Sequence, residues 1–309
     1  MHSTAPLSRK KSCAATKFDE KWHNGMRKIG FIDYYLSEWH ANNYPAWIKT
    51  ANETLGTDYE VAYGWAELDA SPLDGVTTAE WCEKFGATPC ATLEELCEKS
   101  DMLLILAPSD PEKHLPYARV ALTYGKPTYI DKTFAPNLAE AEEMFAIAKA
   151  HSTPFFSSSA LRYATELDSV SGCVRMMTTG SGRSADEYIV HQTEMVVKKL
   201  GIGANRVRAE KFGTQTLFRV EYANGKKATM LFAPSVPFTV YLSECGDTKP
   251  VYKQVTSKYF DGLIADMVRF FEEGTVSFNT AETLEIMKIR EGAIKAIDAD
   301  GQWIDLETL

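Results

Sequence analysis

No apolar run in these 309 residues approaches the ~20 that a membrane-spanning helix needs. Basic charge is short as well. Lys and Arg number 33 against 42 Asp and Glu, a formal net charge of −9, which argues against non-specific nucleic-acid binding. The six cysteines, Cys13, Cys82, Cys90, Cys97, Cys173 and Cys245, form no C-x-x-C pair and are too widely spread to suggest a zinc site. They read as buried small hydrophobes in a reducing compartment, so a cytoplasmic protein without a metal is expected. The first 25 residues carry Arg9-Lys10-Lys11 and no apolar core, so they read as an N-terminal tail and not as a secretory signal. Internal repeats and low-complexity linkers are missing too.

What is present is ordinary for a globular protein: 45% hydrophobic and 24% charged residues. The length exceeds what one compact core usually holds, which predicts two domains. From Met26 strand-like and helix-like segments alternate. Strands are expected at 28–32, 59–67, 102–106, 126–131 and 154–163. Helices are expected at about 37–55, 77–86, 92–100, 112–125 and 137–152, with Thr92 and Glu95 forming a capping box. Such alternation predicts a Rossmann-like, doubly wound parallel sheet over 26–163. After residue 164 strand-like runs follow one another at 173–177, 206–213, 216–223, 227–233 and 238–244, with Asn224-Gly225 as a hairpin signal. Residues 164–309 therefore read as an α+β domain with a mostly antiparallel sheet. Two helices close it, the second starting near Asn279.

Three motifs then stand in order. Ala107-Pro108-Ser109 is followed by His114. "GKPTYIDKTFA" runs from Gly125 to Ala135. Arg162-Tyr163 ends the next strand-like run. Together with the closing "DMVRFFEEG" and "AETLEIMKIREGAIKAI" segments, this order resembles the Gfo/Idh/MocA family of glucose–fructose oxidoreductases and inositol dehydrogenases, from about Met26 to the C terminus. The resemblance implies NAD or NADP as cofactor, a carbohydrate or polyol as substrate, and pairing of second-domain sheets into a homo-oligomer. It also implies a catalytic constellation. Lys132 matches the family lysine, and "EYIVHQTE" (187–194) matches its D-x-x-x-H helix, with Glu187 in the Asp position and His191 as general base. Lys132 would steady a developing alkoxide and keep the histidine basic. Arg162, Tyr163 and Glu194 become candidate substrate contacts, with the alternative that Arg162 fixes the crossover between strand and second domain and touches no ligand. Pro108, His114 and Thr133 become candidate cofactor contacts. Tyr188 and the 195–197 run read as core.

The first turn departs from this pattern. Where the family carries three glycines, this chain has Asp33-Tyr34-Tyr35-Leu36-Ser37-Glu38. Those glycines serve a tight turn, a close approach of backbone to diphosphate, and close helix–strand contact. Asp33, Tyr35, Ser37 and Glu38 thus stand at cofactor-binding positions with the wrong bulk and charge, so NAD(P) binding is expected to be weak or atypical. No ribose-binding carboxylate ends the second strand, where Ala66 stands with Glu67 and Asp69 nearby. The alternative is a family-fold protein without exchangeable NAD(P), acting as a sugar lyase or hydrolase or as a non-catalytic partner subunit. The aromatics Tyr34, Tyr35, Trp39, Tyr44 and Trp47 could line a sugar site or simply pack the first helix.

Overall fold

The computed structural model describes residues 25–309. The N-terminal tail and Cys13 lie outside the described residues.

The first half is built as the alternation predicts. Strands β1 (Arg27–Asp33), β2 (Tyr59–Ala66), β3 (Thr88–Pro89), β4 (Met102–Ile105), β5 (Thr128–Ile130) and β6 (Phe155–Phe156) form one sheet in the order β3-β2-β1-β4-β5-β6, every pair parallel. The order reverses between β1 and β4. In doubly wound sheets, ligands bind at such a switch point, outside the carboxyl ends of the strands. Helices α1 (Trp39–Leu55), α2 (Thr78–Phe85), α3 (Leu93–Lys99), α4 (His114–Ala121) and α5 (Leu138–His151) make the crossovers. β4 is wholly buried, as its unbroken apolar run requires.

Two local expectations are corrected. Thr92 accepts a hydrogen bond from Glu95 N, but the Glu95 carboxylate reaches Ala91 N, so the reciprocal capping box is absent there. The box forms instead at Thr77 and Glu80, at the start of α2. The expected strand at 154–163 shrinks to Phe155–Phe156, because Ala160–Tyr163 coils into a 3₁₀ turn capped by Ser159.

The second sheet has seven strands: β7 (Arg175–Gly180), β8 (Ala204–Phe212), β9 (Gln215–Tyr222), β10 (Lys227–Phe232), β11 (Thr239–Ser243), β12 (Val251–Gln254) and β13 (Ile304–Asp305). Their order is β12-β11-β7-β10-β9-β8-β13, antiparallel except where β10 lies parallel to β7. Gly225, at φ 85°, makes the hairpin between β9 and β10. Helices α6 (Ala185–Leu200) and α8 (Ala281–Ile297) cover one face. Helix α7 (Tyr259–Glu273) goes elsewhere. Its Leu263, Ile264, Met267 and Phe271 join Ile29, Phe31, Tyr44 and Ile48 in the core of the first sheet. A simple division at residue 163 therefore does not describe the packing.

The cysteines need a correction. Cys173 and Cys245 form a disulfide beside β7 and β11, while Cys82, Cys90 and Cys97 are free and buried. Disulfides persist in oxidising surroundings, so this pair withdraws the support that unpaired thiols lent to a cytoplasmic placement. Among the described residues no helix is long and apolar enough to cross a membrane.

Candidate active site

The turn after β1 dispenses with glycine because none of residues 33–38 has a positive φ. The left-handed residue sits opposite, at Ala107 (φ 47°), just past β4. The close contact has moved too. A Cβ on Gly64 of β2 would meet Leu36 Cδ1 at 2.8 Å, so the turn packs its leucine where β2 supplies the glycine.

The carboxylates of the turn hold its shape. Asp33 is 1% exposed, and its Oδ1 accepts from Tyr34 N at 2.7 Å and Ala107 N at 3.0 Å. Its Oδ2 is buried with no partner. Glu38 is the N-cap of α1, its side chain accepting from His40 N at 2.8 Å and from Ala41 N. Burial raises the pKa of both carboxyls. Glu38 raises Asp33 further. Ser37, expected among the cofactor contacts, does not line the cleft and donates to Asp74 Oδ2 at 2.8 Å.

A cavity of about 370 Å³ opens where α1, the β5–α5 turn, α6 and α7 meet. Its aromatic walls are Trp39 and Tyr44 on one side, Tyr188 and Phe238 on another, and Tyr259 and Phe260 on a third. Lys132 and His191, predicted from distant parts of the sequence, both line it. Lys132 Nζ donates to Pro108 O at 3.0 Å. His191 Nδ1 lies 2.7 Å from Ser159 Oγ, and its Nε2 has no partner among the described residues. Burial, then the charges of Lys132 and His40, push the His191 pKa down to about 3. Lys132 therefore makes this histidine less basic, the reverse of the expectation.

Two further groups here were missed. His40 Nδ1 pairs with Asp131 Oδ2, and both line the cavity. Asp131 also accepts from Tyr129 Oη at 3.0 Å and from Lys132 N at 2.8 Å. Burial alone would raise the Asp131 pKa, but His40 and Lys132 together hold it below the usual carboxylate value. Ninety-one residues separate the pair, so no local pattern shows it.

An adjoining cleft of about 280 Å³ is lined by Asp33, Tyr35, Glu38, Pro108, Asp110 and Glu187, with Trp39, His40, Lys132 and Tyr188 shared. That is below the ~300–1,000 Å³ usual for ligand pockets. Glu187 lies here and not beside His191 in the larger cavity. It is paired with Arg183 and accepts from Ser109 Oγ at 3.3 Å. Tyr188, expected in the core, lines both spaces. Only Gly182 lets it approach, since a Cβ there would fall 2.0 Å from its ring.

Several assignments are corrected by position. His114 is buried with its ring nitrogens on Leu106 O and Phe134 O, pinning β4 to the turn after β5. Thr133 is 2% exposed and lines neither space. Arg162 is buried between Glu194 and Glu282, with Phe278 4.0 Å from its guanidinium carbon. Tyr163 donates to Asp266 at 2.8 Å. Arg162, Tyr163 and Glu194 thus clamp the crossover to α6, α7 and α8, outside the cavity. Of the aromatic group, Trp39 and Tyr44 line the cavity and Tyr35 the cleft. Tyr34 and Trp47 do neither.

A parallel, switch-point sheet joined to a mostly antiparallel one, with a cavity at their junction, defines a Rossmann-like domain with an appended α+β domain. Residues 73–158 match the family described as "Oxidoreductase family, NAD-binding Rossmann fold", the Gfo/Idh/MocA family. Over that segment the chain carries the Gfo/Idh/MocA sequence pattern, and as a whole it carries that family's fold, as its motifs imply. The residues that form the first turn lie outside the match. The oxidoreductase YhhX of Escherichia coli (strain K12), itself uncharacterized, is 39% identical over 57 residues, 18% of this chain and only 16% of that protein's length. Similar solved structures include a scyllo-inositol dehydrogenase from Lactobacillus casei (TM-score 0.73, 10% identity, 91% of this chain and 98% of that one). An Agrobacterium radiobacter oxidoreductase in complex with NAD+, L-tartaric acid and magnesium gives 0.72, with 13% identity over 92% and 99% of the two chains. A Klebsiella pneumoniae NAD binding oxidoreductase gives 0.69, with 12% identity over 91% and 99%. At such identities these likenesses show the fold.

The fold implies a dinucleotide, whose diphosphate would sit on the α1 amides at the switch point. Those amides already hold Glu38, and Asp33 lies beside it with an unpartnered oxygen. The residues present do not fit a diphosphate in that seat.

Proposed function

We propose that this chain is an oxidoreductase of sugars or polyols that holds its substrate in the larger cavity, with NAD or NADP bound in an atypical pose. The observation that carries the reading is the convergence of Lys132 and His191, one from each sheet-bearing half, on a single aromatic-walled space. Aromatic faces suit the C–H faces of sugar and cyclitol rings. The scyllo-inositol dehydrogenase and the tartaric-acid complex among its structural relatives point to the same polyhydroxylated chemistry.

The proton steps follow from the side chains. His191 stays neutral at working pH and is a poor proton store, so it serves as hydrogen-bond partner and positioner of a substrate hydroxyl. The proton acceptor in this reading is His40, oriented through Nδ1 by ionised Asp131, with its Nε2 unpartnered among the described residues. It takes the hydroxyl proton, and the imidazolium formed is stabilised by Asp131. The Lys132 ammonium steadies the alkoxide.

A second reading is favoured by Glu38 on the α1 amides: redox-neutral chemistry in the same cavity, as a sugar lyase or hydrolase, or a non-catalytic partner role. One experiment separates them. Inositols and aldoses are incubated with the protein, with and without NAD+ or NADP+, and followed by nuclear magnetic resonance and reduced-nicotinamide absorbance. Conversion only with the nucleotide supports the oxidoreductase. Conversion without it supports the lyase or hydrolase. No conversion, and no quenching of tryptophan fluorescence by any polyol, sinks both catalytic readings. Pairing of chains through the second sheet belongs to the same proposal, supported by exposed Met177, Tyr241 and Tyr252, and sedimentation velocity tests it.

A further inference from the structure

The geometry points to Glu38 as a built-in occupant of the diphosphate seat, a carboxylate of the chain itself that NAD(P) must displace before it can lie across the switch point. The first amides of a helix lack partners within it, and their dipoles favour an anion. In α1 that anion is supplied internally. Both Glu38 oxygens are engaged, one on His40 N and one on Ala41 N, and the residue is only 6% exposed. Displacement alone would not clear the way. The freed carboxylate would remain tethered beside the ligand, next to Asp33, whose Oδ1 already holds the Tyr34 and Ala107 amides.

A second, more exposed ion pair stands beside Tyr34 of the same turn. Lys113 lies 4.4 Å from the centre of the Tyr34 ring and 2.6 Å from Glu67, which also accepts from Tyr117 Oη. The Glu67 side chain is 41% exposed, so that ion pair is screened by water and holds the turn only weakly. Glu38, buried and doubly bonded, decides whether a diphosphate enters. This inference goes beyond the polyol reading, since it concerns a seat that no polyol touches.

The test is calorimetric titration of inorganic pyrophosphate and of NADH into the full chain, using the wild type, Glu38→Ser and Glu38→Gln. Serine is a favoured N-cap that keeps the start of α1 while clearing the space. Glutamine keeps the bulk and removes the charge. Pyrophosphate reads the seat alone. NADH reads the whole crevice. The expected result is no saturable uptake of pyrophosphate by the wild type at millimolar concentration, clear uptake by Glu38→Ser, and at least a tenfold gain in its NADH affinity. Glu38→Gln should fall between. Saturable pyrophosphate uptake by the wild type, or micromolar NADH binding that pyrophosphate displaces, would overturn the inference. So would a folded Glu38→Ser no better than wild type. If Glu38→Ser does not fold, Glu38→Gln decides alone: a gain supports the inference, and none overturns it. No polyol is present in either titration, so a failure here leaves the polyol reading standing, and the reverse also holds.

Discussion

Lys132 borders both the cavity and the cleft, as do Trp39, His40 and Tyr188, and its proposed role rests on its charge. Lys132→Met keeps the length and loses the charge, and turnover of any polyol found as substrate should fall about 10²-fold or more. Asp131→Asn should cost as much, and should shift the acidic limb of the pH–rate profile if His40 is the base. An unchanged profile would return that role to His191. His191 also leaves a signature in stability. Its folded pKa of about 3 lies below its ordinary value of 6.5, so between those limits the unfolded chain binds the extra proton. Stability therefore falls as pH drops through that window, by up to ~1.4 kcal/mol per pH unit from this group. Buried His114 is shifted the same way. His191→Gln should flatten the loss of Tm from pH 7 to 4, and parallel curves for variant and wild type would refute this. Lys132 and His191 could be found in the sequence because each sits in a motif of fixed spacing. His40 and Asp131 could not, since their significance arises only when α1 is laid against the end of β5. Glu187 was misplaced because one helical turn predicts a shared face, not a shared cavity.

Elements carried most of the sequence's information. The helices were legible as periodic runs. Five of the six parallel strands were legible, while β3 was not, since its two residues, Thr88 and Pro89, are both exposed. β12 was not, because Val251–Gln254 is an edge strand with three exposed residues and no inward pattern. The end of the 154–163 run was missed because apolar residues there cover a 3₁₀ turn, which periodicity over so few residues cannot separate from a strand. The capping box of α2 is the clearest local device, and Thr77→Ala should cost ~1 kcal/mol in chemical denaturation. The Cys173–Cys245 bond joins the approaches to β7 and β11 across 72 residues of chain. Converting both cysteines to serine should lower stability by ~2–4 kcal/mol under non-reducing conditions, and a reductant should then change the wild type but not the variant.

At the scale of the molecule, the halves are held together by buried charge as well as by apolar packing. Arg162 lies between Glu194 of α6 and Glu282 of α8. Arg162→Met would leave two carboxylates short of their cation, and a loss of ~3–5 kcal/mol is expected, largely recovered when both glutamates become Gln. Denaturant titration of the single and triple variants checks this without reference to activity. The two kinds of sheet were legible in the switch from alternation to successive strands, but the return of α7 to the first core was not, since its apolar face would suit either sheet. That return bears on how the protein is made. The ribosome releases β1 to β6 long before Tyr259–Glu273 emerges, and until then the surface that α7 covers beside Tyr44 and Ile48 stands open to water. Residues 25–164 expressed alone should therefore be sticky and incompletely folded, rescued by supplying 259–278 in trans. In the growing chain the first half must wait, partly built, for a stretch near the end of the message, and that interval is when a chaperone would be needed most.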